Sequence, residues 1–280
     1  MPSFDTPEPI SVTAYVYAGS LHLTASDRLD TVVEVRPRDP KKDQDVRSAD
    51  QTEVAYASGV LTVTTPKANL LGRGGTVDVT VELPTGSHID VTGAAARVLG
   101  EGRLGEVQVN TSAGDVRLDT TGPLRLKASH GTSSVDRVEG PAEITSSTGN
   151  VRVGIIEGAA VLKNSHGTTN VGTVTGELRV SGANGAIDIA RAEASVTGTT
   201  THGILRVAEV ARGTVQLETS NGSIEVGIRE GTAAWLDVRS NRGQVRNMVA
   251  ASQAPEQAED TVKVRARTNW GNIDVLRAKA

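Results

Sequence analysis

Residues 147–190 read STGNVRVGIIEGAAVLKNSHGTTNVGTVTGELRVSGANGAIDIA. Within them the phrase Ser/Thr/Asn-x-Gly-x-aliphatic returns at Gly149, Gly167 and Gly185. Outward from there it recurs at Gly114, Gly131, Gly203, Gly222, Gly243 and Gly271, with successive spacings of 17, 18, 18, 18, 18, 19, 21 and 28. A fixed period of this length is the mark of a repeat architecture. A second series, Gly105, Gly122, Gly140, Gly158, Gly176, Ala194, Gly213 and Gly231, runs about nine residues out of phase, so each coil has two turns and two strands.

Two and four residues past six of the nine glycines of the first series stand Val116/Leu118, Val151/Val153, Ile187/Ile189, Leu205/Val207, Ile224/Val226 and Ile273/Val275. Past the second stand Leu124/Leu126, Ala142/Ile144, Ala160/Leu162, Leu178/Val180 and Val215/Leu217. The residues between are polar, as in Asn150 and Arg152 or Ser223 and Glu225. This period of two is that of a strand with one buried face. Strand, turn and strand at constant length find hydrogen-bond partners in the coils above and below. The pattern predicts an all-β, single-stranded parallel β-solenoid with about 18 residues per coil. A longer beat of two coils is superimposed: Ser129-His130-Gly131, Ser165-His166-Gly167 and Thr201-His202-Gly203 alternate with phrases that lack histidine. In the first two of these coils the inward aliphatic is replaced by Ser133 or Thr169.

The ends depart from the period. Residues 1–85 read as strands around Ile10–Val16, Leu21–Leu23, Val32–Val35, Val60–Val63 and Val77–Val81, with the charged stretch Arg36–Asp50 expected as an exposed loop. This part is expected to be an N-terminal β cap continuous with the solenoid, residues 86–246 the repeats, and 247–280 an insertion, loop or short helix, followed by a capping coil. Trp235 and Trp270 are expected to seal the last coil against water.

The phrases Ser147-Thr148-Gly149-Asn150-Val151-Arg152-Val153 and Ser220-Asn221-Gly222-Ser223-Ile224-Glu225-Val226 resemble the β-strand repeats of domain of unknown function 4097, a family that carries an adhesin label. The run Val81-Glu82-Leu83-Pro84-Thr85-Gly86 is similar to that family's lead into its solenoid. The resemblance implies a single-stranded parallel β-solenoid and supplies no catalytic residues.

Composition narrows the function. One Phe, two Trp and three Tyr leave the core to aliphatic side chains. The net charge of −4, with both signs mixed along the chain, provides no basic stripe for phosphates, so nucleic acid is not an expected partner. The absence of cysteine rules out thiolate metal sites, cysteine nucleophiles and disulfides. No run approaches eighteen apolar residues, so no transmembrane helix is expected, and the N-terminal residues suggest no export signal, which points to the cytoplasm.

Gly100-Glu101-Gly102-Arg103-Leu104-Gly105 matches a dinucleotide-binding pattern, but a strand rather than a helix is expected after it, and a turn is the better reading. His130, His166 and His202 are the candidate surface line. Coils rise about 4.8 Å, which puts histidines two coils apart at about 10 Å, whereas zinc holds each nitrogen at about 2 Å. Neither a metal nor a cofactor is expected, and local hydrogen bonding of the rings is the simpler reading. Outward pairs such as Asp115/Arg117 and Asp188/Arg206 read as solvated face charges. The expected function is therefore a non-catalytic scaffold or adhesin-like binding protein that presents a repetitive polar face to a macromolecule, protein or glycan. The alternatives are a self-assembling structural protein, for which homo-oligomers are expected, and a carbohydrate-active enzyme.

Overall fold

The computed structural model describes residues 2–67, 74–249 and 260–278. The chain is an all-β parallel solenoid that divides into two compact units, 1–139 and 140–280.

The first unit contains β1 (Ser3–Asp5), β2 (Ser11–Ser26), β3 (Asp30–Pro37), α1 (Asp43–Asp50), β4 (Glu53–Ala57), β5 (Val60–Thr64), β6 (Val77–Pro84), β7 (His88–Arg103), β8 (Val107–Ala113), β9 (Val116–Thr121), β10 (Leu124–His130) and β11 (Ser133–Val138). Long β7 serves as a whole coil, its first half pairing in parallel with β8 and its second half with β9. β2 does the same on the other side of β7, and its opposite edge pairs in parallel with β5 and then β6. Coil order therefore departs from chain order: β2 lies between β5/β6 and β7. Antiparallel strands finish this end, β4 on β5, β3 on β6, and β1 on β3. Parallel pairing thus begins within residues 1–85, expected as an N-terminal β cap continuous with the solenoid.

The charged stretch expected as a loop contains the helix α1. Its buried positions are Asp45 and Ser48. Asp45 accepts hydrogen bonds from the backbone N–H groups of Asp39 (3.1 Å) and Thr76 (2.8 Å), and Ser48 Oγ accepts one from Gly75 (3.1 Å). Polar rather than apolar anchoring of the helix leaves no hydrophobic period to read in the sequence.

The second unit contains β12 (Ala142–Thr148), β13 (Val151–Ile156), β14 (Ala160–His166), β15 (Thr169–Val174), β16 (Leu178–Asn184), β17 (Ile187–Ala192), β18 (Val196–His202), β19 (Leu205–Val210), β20 (Gly213–Asn221), β21 (Ile224–Ile228), β22 (Ala233–Arg242), β23 (Val245–Asn247), β24 (Thr261–Trp270) and β25 (Ile273–Arg277). From β12 to β19 each strand pairs in parallel with the strand two further along the chain. The inward side chains consequently stack in columns. Ile144, Leu162, Val180 and Leu217 form part of one, Val153, Val171, Ile189, Val207, Val226 and Val275 another, all at most 3% exposed. Such columns carry the hydrophobic stabilisation that a coil alone cannot supply.

The inward Thr169 has a structural partner. Asn164, 3% exposed, donates its Nδ2 to the carbonyls of Gly149 (3.0 Å) and Thr168 (3.3 Å) and lies 3.4 Å from Thr169 Oγ1. A small polar residue at 169 leaves room for that amide, which satisfies a turn carbonyl inside the core.

At this end, too, chain order and coil order diverge. β24 pairs with β20 on one edge and β22 on the other, and β25 lies likewise between β21 and β23. The last coil in sequence is one coil in from the end of the unit. Trp235 and Trp270 do not seal it: they are 61% and 52% exposed, because both occupy outward or turn positions in this register. The insertion expected after Asn247 lies largely outside the described residues.

Candidate binding surface

The turn before each first-series glycine places one side chain per coil at the same height on the surface. In the second unit the register aligns Thr148, His166, Asn184, His202, Asn221, Trp270 and Arg242 in a single column, all exposed. His166 and His202 are thus brought onto one line with Asn184 between them, about 10 Å apart at two strand spacings. His166 Nδ1 donates to the carbonyl of Ser147 (3.4 Å), which orients the ring over the preceding coil. His130 belongs to the first unit, where it pairs in register with Ala113 and its Nδ1 donates to the Ser112 carbonyl (3.3 Å). Among the described residues no group of three or more His, Cys, Asp or Glu is placed to hold a metal ion. Gly100–Gly105 spans the end of β7 and the turn into β8, so a strand follows it and among the described residues no helix begins there.

A different set of outward columns carries charge. Arg206 lies 3.5 Å from Asp188 and 3.2 Å from Glu225, its neighbours on the coils below and above. Asp115 instead accepts the Thr132 N–H (2.8 Å), fixing a turn.

A family model described as Toastrack DUF4097 matches residues 19–276. The chain belongs to that family. No curated protein matches this Toastrack chain. Among solved structures it is similar to a candidate adhesin from Bacteroides fragilis NCTC 9343, at 14% identity over 98% of this chain and 95% of that one, with a TM-score of 0.34. It is also similar to a candidate adhesin from Parabacteroides distasonis ATCC 8503 (12% identity, 98% and 95% covered, TM-score 0.28) and to a candidate cell adhesion protein from Clostridium sporogenes ATCC 15579 (7%, 99% and 98%, 0.23).

Where the Toastrack coils turn at the start of β22, a carboxylate is shared between coils. Glu209 Oε1 lies 2.6 Å from Arg229 Nε and 3.2 Å from Arg191 Nη2, and Arg229 also reaches Glu193 (2.8 Å). Burial works against the charged form of Glu209, but the hydrogen bonds from Arg229 and Arg191 outweigh it and hold the group below its ordinary value of 4.5. A carboxylate with a depressed folded pKa contributes stability above its unfolded value and loses it as pH falls through the folded one. Glu209→Gln should lower the urea midpoint near neutral pH, and the gap to wild type should close as pH falls below 4.5. A gap that does not vary with pH would contradict this account of the cluster.

Sequence reasoning missed the outward face shared by β22 and β24. It depends on two strands being neighbours that 28 residues separate, Trp235 lying beside Lys263. The one local sign is the alternation of basic residues in Lys263-Val264-Arg265-Ala266-Arg267.

Proposed function

We propose that this protein is a non-catalytic binding scaffold of adhesin type, which presents a regular polar β-surface to another macromolecule. The observation that carries this reading is the column of exposed side chains from Thr148 through His166, Asn184, His202 and Asn221. The backbone ladder fixes its spacing at about 4.8 Å, so a repetitive partner meets equivalent groups at each coil. Individually weak contacts then add, because each engaged site raises the effective concentration at the next.

The full chain, labelled and applied to arrays of glycans and extracellular proteins, should retain a defined subset. The triple variant His166→Ala, Asn184→Ala, His202→Ala should keep its melting temperature and lose most of that signal. An empty array, or undiminished capture by the variant, would sink the reading.

A further inference from the structure

The two tryptophans of an aromatic-poor chain are both exposed, and both lie on the paired strands β22 and β24. The outward residues of β24 are Lys263, Arg265 and Arg267, alternating with buried Val262, Val264, Ala266 and Thr268. The parallel register sets Trp235 beside Lys263, Asp237 beside Arg265, and Arg239 beside Arg267. On the opposite edge Thr214, Gln216 and Glu218 of β20 flank the same three cations.

Charge on this face is unbalanced. Asp237 serves two guanidiniums: Arg267 Nη2 lies 2.6 Å from each of its oxygens and Arg265 Nε 3.2 Å from one. The side chains of Arg239 and Lys263 have no hydrogen-bonding or ionic partner among the described residues. Arg239 stands one strand spacing, about 4.8 Å, from Arg267, and like charges directly across a strand pair are destabilising. A chain with a net charge of −4 has nonetheless gathered four cations here against Asp237 and Glu218. A groove of about 450 Å³ beside Trp235 is lined by Ala233, Ala234, Thr261, Val262 and Lys263.

We propose that this face binds an acidic polysaccharide, with one sugar ring lying against the Trp235 indole and uronate carboxylates paired with Lys263 and Arg239. The proposal rests on the binding-scaffold reading and names its ligand class. An exposed indole offers a broad apolar surface to the C–H face of a sugar ring while keeping its N–H for a hydroxyl. A guanidinium takes a carboxylate through two parallel hydrogen bonds. From Trp235 to Arg239 is four residues of strand, about 13 Å, a span that several linked sugars cover. Single-stranded nucleic acid fits less well, since it stacks successive bases on successive aromatics, whereas Trp235 stands among charged residues and Trp270 lies at the far end of β24, covered by the Arg242 guanidinium at 4.3 Å.

The test is calorimetric titration of the full chain with oligogalacturonate, neutral dextran of matched length and single-stranded DNA, in wild type, Trp235→Ala and Arg239→Glu. Oligogalacturonate should bind with an affinity that falls as salt rises, and each substitution should weaken it about tenfold or more, as for loss of a central contact. Dextran should bind far more weakly. Neither substitution should lower the melting temperature, because both side chains are exposed and Arg239→Glu replaces a like-charge neighbour of Arg267 with an opposite one. Absence of oligogalacturonate binding, or tighter binding of DNA in the same salt, overturns the proposal. Binding of oligogalacturonate that neither substitution weakens also overturns it, while leaving the broader binding-scaffold reading intact.

Discussion

Deleting Asn150 through Gly185 is expected to yield a soluble, cooperatively melting protein with the β circular dichroism of the parent. The deletion removes β13 to β16, two whole coils, and joins Gly149 to Ala186, so the chain runs Ser-Thr-Gly-Ala-Ile-Asp-Ile into β17. Inward and outward positions keep their phase, which a strand requires because a slip of one residue would turn its core face to solvent. β12 then meets β18 through Ala142 on Val196, Ile144 on Gly198 and Thr148 on His202, the alignment that three successive registers define. Ile144 over Gly198 tolerates the missing side chain because Leu217 already fills that space, its Cδ2 lying 2.8 Å from where a Cβ on Gly198 would be. Removing only Asn150 through Gly158 instead drops β14 into the position of β13 and sets a second-turn strand against first-turn neighbours. That variant should aggregate or fail to fold. Matching behaviour of the two deletions would refute the two-strand coil, since a stack that sums over repeats tolerates whole units and not halves.

The substitution Gly185→Ala should be among the most damaging single changes in the chain. Gly185 holds φ at +141°, where L side chains are rarely found, and a Cβ there would stand 2.0 Å from the carbonyl oxygen of Gly167. The backbone cannot swing away, because the Gly185 N–H donates to the His202 carbonyl (2.9 Å) and the Gly167 N–H to that of Asn184 (2.9 Å). Strain and broken ladder together should cost more than about 3 kcal/mol. Arg152→Val, on the exposed face of β13, should change stability by no more than about 0.5 kcal/mol. Urea denaturation of the two variants side by side checks this, and midpoints that coincide would remove the steric account of the turn.

Much of this fold was legible in the sequence because its rules are local. Val151/Val153 and Ile187/Ile189 announce an inward face by alternation, and the glycines of the first series mark turns whose backbone excludes other residues. The same phase sets His166 and His202 on one column. What escaped was non-local or polar. Nothing in residues 261–277 says that β24 slips between β20 and β22, since strand pairing across an insertion leaves no periodic trace. Helix α1 escaped because its buried anchors are Asp45 and Ser48, which a search for apolar spacing passes over. The tryptophans were assigned to a seal on the general preference of large apolar groups for the interior. In this register their positions face outward, and the basic face they border became visible only once β22 and β24 were known to be neighbours.

The register that builds these columns makes the distances between coils a ruler. The chain has no cysteine, so pairs of single cysteines can carry spin labels without background. Labels at Thr148 and His202, three strand spacings apart, should lie about 14 Å from each other, those at Thr148 and Trp270 about 24 Å, and those at Thr148 and Arg242 about 29 Å. Dipolar spectroscopy on the three pairs should return distances in that order, with residue 242 farther from 148 than residue 270 is. A reversed order for the last two pairs, or distances that do not grow in steps of one strand spacing, would contradict the parallel stack with its intercalated last coil.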